Sequence, residues 1–260
     1  AGMEAAVTLK QRGFDVVVFD KRDEIGGNLH VAKKPPFKGK FEWAIDYYKS
    51  MAKKLNITMK LGKEVTAQEV LALKPHSILV ATGSNVISIP LEGLDQVQTV
   101  QAHDVLANDM QFANKKVVVI GGGITGLETA LYINRQGTNQ VSVVDMLPEW
   151  PVDMLDMRYQ NEALLEVRHC NDQGVALFYN NKVVKFADGK LFIESTKDGE
   201  VKELPADVIV LSVGVKPNDA LWQELLASGH PSVWKAGDAI ATGKINKAVL
   251  HGSKFGYSLN

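Results

Sequence analysis

Short apolar runs separated by longer mixed stretches set the rhythm of this chain. Val16–Phe19, Ser77–Val80, Val117–Ile120, Val141–Val144 and Val208–Leu211 are such runs, most of them rich in valine and isoleucine. Apolar runs with little polar alternation predict strands covered on both faces, as in parallel sheets. The stretches between them carry helical spacing. One begins at Gly2 and places Met3, Ala6 and Val7 on one face. Another, Phe41 to Leu55, brings Trp43, Tyr47, Met51 and Leu55 to near-fourfold spacing, which assigns these side chains to the core. Alternating strands and helices predict an α/β fold with crossover helices. A different pattern appears at Gly174–Tyr179, Lys182–Phe186 and Lys190–Glu194, where Asp188-Gly189 supplies a two-residue hairpin turn; these segments predict antiparallel strands.

Two of the apolar runs lead into related motifs. Val117–Ile120 is followed by Gly121-Gly122-Gly123-Ile124-Thr125-Gly126, a helical run, the strand Val141–Val144 and then Asp145. In G-x-G-x-x-G the first glycine (Gly121) permits the tight turn and the second (Gly123) lets a pyrophosphate approach the backbone. The third (Gly126) lets the helix pack on the sheet. The amides of the helix start, at Ile124 and Thr125, favour phosphate, and an acid at the next strand end accepts from ribose hydroxyls. The order strand, glycines, helix, strand, Asp145 therefore predicts a dinucleotide site. A second copy is partial: Gly2, a helical run to Gly13, the strand Val16–Phe19 and Asp20-Lys21, without a first strand or the first two glycines.

The composition narrows the partners. A length of 260 residues with 45% apolar content suits two domains. A net charge of -1 shows no basic excess, so nucleic acid is not an expected partner. No apolar run approaches the ~20 residues of a membrane span, and the expectation is a soluble, cytoplasmic protein. Cys170 is the only cysteine, so the chain holds neither an internal disulfide nor a C-x-x-C redox pair. Its neighbour His169 reads as a surface residue.

Taken in order, Gly2 to Asp20, Gly26-Gly27, Ala81-Thr82-Gly83, Gly121 to Gly126 and Gly237-Asp238 resemble the flavoproteins with two dinucleotide-binding domains. Asp23–Asn28 followed by Val31-Ala32-Lys33 resembles more narrowly the C-terminal half of the 2,4-dienoyl-CoA reductase and enoate reductase (NADH:flavin oxidoreductase) family. The resemblance implies an α/β chain of two Rossmann-like three-layer domains, the second inserted in the first. The first would be truncated at its N-terminus. The boundaries expected are 1–112 for the first segment of an FAD domain, 113–214 for a nicotinamide-nucleotide domain and 215–260 for the return.

The resemblance also implies roles. Gly2 faces the FAD pyrophosphate, Asp20 with Lys21 the adenosine ribose, and Gly27 and Asn28 the flavin side. Ala81, Thr82 and Gly83 pass close to the cofactor, and Gly237 and Asp238 reach the ribityl chain or pyrophosphate. Gly121, Gly123, Ile124, Thr125, Gly126, Asp145 and Gly214 belong to the nicotinamide-nucleotide site, whose ring stacks on the flavin. NADH is expected over NADPH because Asp145 repels a 2′-phosphate and Met146–Asp153 contains no basic residue. An N-terminal flavin barrel carrying FMN and an iron–sulfur cluster precedes this portion in that family and is the implied partner.

Losing a central strand removes about five buried apolar residues at ~1.5–3 kcal/mol each, on the order of a whole domain's stability, so FAD binding is expected to be weak or lost. Two other readings stay open: a non-catalytic ADP-binding assembly module, as in trimethylamine dehydrogenase, and a stand-alone NADH oxidase or ferredoxin-type reductase.

Overall fold

A computed structural model describes residues 1–148 and 160–260. The backbone sorts into two compact units, one of residues 1–30, 40–85 and 215–260, the other of residues 31–39 and 86–214. The chain therefore passes between them four times, at 30/31, 39/40, 85/86 and 214/215.

The second unit is built on five parallel strands in the order Gln98–Gln101, Val208–Leu211, Lys116–Ile120, Gln140–Val144 and Ala176–Phe178. Both faces are covered, which is why the apolar runs do not alternate with polar residues. On one face Val117, Val119, Val141, Val143, Val208 and Val210 share a core with Leu127, Ala130 and Leu131 of helix Ile124–Asn134 and Cys170 of helix Gln160–Asp172. On the other, Val118, Ile120, Val144, Ile209 and Leu211 pack with Phe186, Leu191 and Ile193 of an antiparallel layer. That layer comprises Asn181–Ala187, Lys190–Ser195 and Val201–Pro205. Its first hairpin turns at Asp188 and Gly189 with φ of 51° and 74°, the paired positive angles of a type I′ turn.

Three expectations are corrected here. Ala176–Phe178 runs parallel to Ser142–Val144 and does not join the antiparallel layer; helix Gln160–Asp172 precedes it and supplies the crossover a parallel neighbour needs. The third antiparallel strand is Val201–Pro205, a mostly exposed edge whose Val-Lys-Glu-Leu-Pro sequence carries little apolar signal. Residues 86–112 group with the second unit, ahead of the boundary at 113, because Gln98–Gln101 pairs with Val208–Leu211.

Among the described residues the first unit's strands stand in separate pairs, Val17–Phe19 with Thr58–Lys60 and Ile78–Val80 with Val233–Lys235, both parallel, and Val215–Pro217 pairs with Ser84–Val86. Helix Gly2–Gln11 packs closely on helix Ile245–Ser258 through glycines. A Cβ on Gly252 would sit 3.0 Å from that of Glu4, and one on Gly256 would sit 2.6 Å from that of Thr8. Arg12 adds a hydrogen bond to the Gly256 carbonyl at 2.6 Å. Helix Glu42–Lys54 buries Ile45, Tyr48 and Ala52, and the Tyr48 hydroxyl donates to Glu4 at 2.9 Å. Trp43 and Tyr47, expected in the core, are 67% and 50% exposed. Tyr48 and Ala52 meet Ala6, Val7 and Ile25, and Met51 and Leu55 pack against the same cluster as expected, so of the predicted stripe only Trp43 and Tyr47 point elsewhere. No described helix is long and apolar enough to cross a membrane.

Candidate functional site

The glycine turn of the second unit leaves strand Lys116–Ile120 and enters helix Ile124–Asn134. Gly121 has φ of 108°, and a Cβ there would lie 2.2 Å from the Ser212 carbonyl oxygen. One on Gly126 would lie 1.9 Å from the Gly121 oxygen. Both glycines are therefore demanded by packing within the protein. Gly123 is different: its φ is -67°, and a Cβ there would meet none of the described residues within 4 Å. Those residues give no reason for a glycine at that point. Gly123 is also the helix N-cap and offers no side-chain cap, so the first-turn amides at Ile124 and Thr125 face a place where a ligand's phosphate can complete them.

Asp145 follows the adjacent strand Gln140–Val144 and is tied to the turn. Its Oδ2 accepts from the Gly122 amide at 2.6 Å and its Oδ1 from the Leu147 amide at 2.8 Å. Each oxygen keeps acceptor capacity after one such bond. A Cβ on Gly122 would meet Asp145 at 3.1 Å and the Tyr179 ring at 3.2 Å, so the glycine between the fingerprint positions is also fixed by packing. The Asn181 amide donates to the Asp145 carbonyl at 2.9 Å, and its buried Oδ1 has no donor. Gly214, at φ of 100°, accepts from the Ile87 amide at 3.0 Å. Ser212, Tyr179 and Asn181 escaped the sequence reading because no motif spacing marks them; they arrive on strands far away in the chain. Of the Met146–Asp153 stretch used to judge nucleotide preference, residues 149–153 lie outside the described residues.

In the first unit the structure gathers several predicted positions. A Cβ on Gly2 would lie 3.4 Å from that of Ala81, and one on Gly237 would lie 3.0 Å from that of Ala1. Thr82 donates its hydroxyl to the Asn218 carbonyl, and the Asn218 amide returns a bond to Gly83 at 3.0 Å. Asp238 accepts from the Gly243 amide at 3.1 Å and from the Ser84 hydroxyl at 3.5 Å. It is half-buried, and desolvation holds its carboxyl above the usual range despite those bonds. Asp20 ends strand Val17–Phe19, its Oδ1 accepting from the Arg22 amide at 3.0 Å, with Lys21 exposed beside it. Gly27 and the exposed Asn28 lie in a separate turn, and a Cβ on Gly27 or Gly83 would find open space. Hydroxyl-accepting carboxylates beside side-chain-free backbone suit a polyhydroxylated nucleotide cofactor.

One cluster of titratable groups in the second unit centres on Lys38. Lys38 lies 3.0 Å from Glu128 and 3.9 Å from Glu166 and also pairs with Glu162. Burial raises the carboxyls of Glu128 and Glu166; it lowers Lys38, but the bonds and charges of Glu162 and Glu128 together outweigh it, so the lysine titrates above its ordinary value. Cys170 is fully buried, and desolvation pushes its thiol to about 12 with Glu166 adding to the effect. Such a thiol is a core side chain and a poor nucleophile. His169, read from the sequence as a surface residue, is 24% exposed, with its ring 5.1 Å from that of Phe37.

Comparison with known proteins bears directly on this geometry. The family model described as pyridine nucleotide-disulphide oxidoreductase matches residues 1–249. An NADH oxidase of Thermoanaerobacter brockii is 31% identical over 267 residues, covering 100% of this chain and 39% of its own length. A bilirubin reductase of Mediterraneibacter gnavus is 34% identical over 218 residues, covering 84% of this chain and 33% of its own. A solved structure of 2-naphthoyl-CoA reductase with 2-naphthoyl-CoA superposes with a TM-score of 0.89 at 28% identity, over 99% of this chain and 38% of that one. The chain thus spans two fifths or less of the length of these relatives.

Proposed function

Because the chain belongs to the pyridine nucleotide-disulphide oxidoreductase family, we propose that it is the electron-input portion of a longer flavoenzyme, holding NADH in its second unit and FAD in its first. The observation that carries this reading is Gly123, the one fingerprint glycine whose added Cβ would meet none of the described residues. The two cofactors, when bound, supply hydride transfer from the nicotinamide to the flavin. Every other contribution is binding and orientation. Gly121 and Gly126 keep the turn tight, Gly123 admits the pyrophosphate, and the Ile124 and Thr125 amides receive it. Asp145 takes ribose hydroxyls on the lone pairs that Gly122 and Leu147 leave. A 2′-phosphate brought to that carboxylate meets like charge, and Met146, Leu147 and Pro148 offer no compensating base, which favours NADH.

In the first unit, Gly2 and Gly237 would border the FAD pyrophosphate and Asp20 with Lys21 the adenosine ribose. Gly27, Asn28, Ala81, Thr82, Gly83 and Asp238 would follow the cofactor toward its flavin. The parent protein we infer is a reductase of an activated alkene of the dienoyl-CoA or enoate type, with an N-terminal flavin barrel holding FMN and an iron–sulfur cluster. The reductase names of two relatives, one of them acting on a CoA thioester, and their greater length support that inference.

Anaerobic titration of the chain with FAD, NADH, NADPH and ADP tests the reading. NADH binding, tighter than NADPH and bleaching any bound flavin, is the expected result. Binding of ADP with no affinity for NADH would replace it with the assembly-module reading, and no binding of either would remove the nucleotide site altogether.

A further inference from the structure

The turn Gly26-Gly27 holds two consecutive positive φ angles, 127° and 54°. His30, in the short helix that follows, folds its ring back over that turn. Its Nε2 lies 2.8 Å from the Ile25 carbonyl oxygen, and a Cβ on Gly26 would be 2.6 Å from the same nitrogen. Its Nδ1 lies 3.3 Å from Glu24 Oε1, and Lys49 of helix Glu42–Lys54 holds the other carboxylate oxygen at 2.9 Å. Buried Ile25 anchors the turn from below, and Ile45 would contact a Gly26 Cβ at 3.3 Å. Gly26 is therefore a glycine because of its φ and because the imidazole fills the place of a side chain. Gly27, whose Cβ would meet nothing, presents the open side.

The ring stands between two acceptors, a carbonyl and a carboxylate. A neutral imidazole carries one N–H and satisfies one of them; in either tautomer the other nitrogen turns a lone pair toward an oxygen. The imidazolium donates to both. The charged groups around it are Glu24 from the turn and Lys49 from the helix, with Glu42 and Asp46 flanking Lys49. Among these residue types, histidine is the one whose ordinary titration spans neutral pH.

We propose that His30 is a positioning residue that clamps the Gly26-Gly27 turn in its cofactor-facing shape when charged and loosens it when neutral. The proposal rests on the reading of this turn as the flavin side of an FAD site. No catalytic contact is assigned to the ring; it acts through the backbone of Ile25, Gly26 and Gly27.

Two measurements separate the proposal from that reading. In the protein labelled with nitrogen-15, the Gly26 and Gly27 amide resonances should follow the His30 ring through its titration, and His30→Gln should leave them flat. FAD affinity, followed by flavin fluorescence, should be about fivefold higher at an acidic pH, with the ring charged, than at an alkaline pH, with it neutral, on the scale of one hydrogen bond. His30→Gln keeps a donor for the Ile25 carbonyl and should show the weaker affinity at both pH values; His30→Phe should weaken it about tenfold more than that. NADH affinity, read at the second unit, serves as the folding control and should not change. Glycine resonances indifferent to His30 titration, or His30→Phe binding FAD as the unaltered chain does at both pH values, would overturn the proposal. Amides that track His30 in a chain with no FAD affinity would keep the clamp and discard the FAD reading.

Discussion

The two units use the same elements to different degrees of continuity. In the second, five strands share one hydrogen-bonded sheet, and a single run such as Val117–Ile120 feeds two cores at once. In the first, the described strands stand only in separate pairs, and three smaller clusters replace the two-sided core. Helix-to-helix contact at Gly252 and Gly256 compensates in part for the sheet. The difference teaches that a fingerprint can be read from a few residues while the stability behind it depends on strands that must be side by side.

The sharpest way to break the comparison is Gly126→Ala. A methyl 1.9 Å from a backbone oxygen cannot be accommodated without moving the turn, and a loss of more than about 3 kcal/mol is expected, seen as collapse of the second unit's urea transition together with NADH binding. Gly256→Ala strikes the first unit instead. Its methyl lies 2.6 Å from the Thr8 Cβ, which no rotamer change can move, so the two helices must part slightly and about 2 kcal/mol is expected, with NADH affinity unchanged. Should both transitions move together, the two units do not unfold independently.

Gly123→Ala sharpens the contrast within one motif. Its stability should stay within about 0.5 kcal/mol while NADH affinity drops about tenfold, roughly 1.4 kcal/mol; equal losses of both would make Gly123 a packing glycine like its neighbours. Asp145→Asn should narrow the NADH-over-NADPH ratio by a similar or smaller factor, measured by nucleotide fluorescence.

The smallest effect concerns pH. Burial raises the carboxyls of Glu128 and Glu166 in the folded state. A raised acid contributes stability that is complete below its unfolded value and is lost as pH rises through the folded one. The second unit's urea midpoint should therefore decline as pH climbs from about 4.5 toward neutral, the ordinary carboxylate range being near 4.3. Glu166→Gln should flatten that decline. A midpoint that rises over the same interval would mean that Lys38 overcomes the desolvation of its partners.

What could be read from the sequence were features carried by neighbours in the chain. The fingerprint turn, the strands around it, the Asp188-Gly189 hairpin and the helix from Gly2 all signal locally. The face of helix Glu42–Lys54 did not, because Trp43 and Tyr47 are as apolar as Ile45 and Tyr48, and which stripe is buried depends on what packs against it. Strand Ala176–Phe178 looked like part of a meander because its direction is set by the preceding crossover and not by its own residues. Around the glycine turn, Ser212, which lies against Gly121 and Gly126, Tyr179, which lies against Gly122, and Asn181, which donates to the Asp145 carbonyl, were not legible, since each is distant in sequence.

The bond from Arg12 to the Gly256 carbonyl joins residues 244 positions apart. A ribosome adding roughly 5–20 residues per second takes on the order of 10–50 s to cover that interval. During that time Ala5, Leu9 and Thr8 have no helix Ile245–Ser258 to cover them, while the strands of the second unit are made and can pair among themselves. Helix Gly2–Gln11 is thus made before the strands of the second unit and covered only after them, when Ile245–Ser258 arrives.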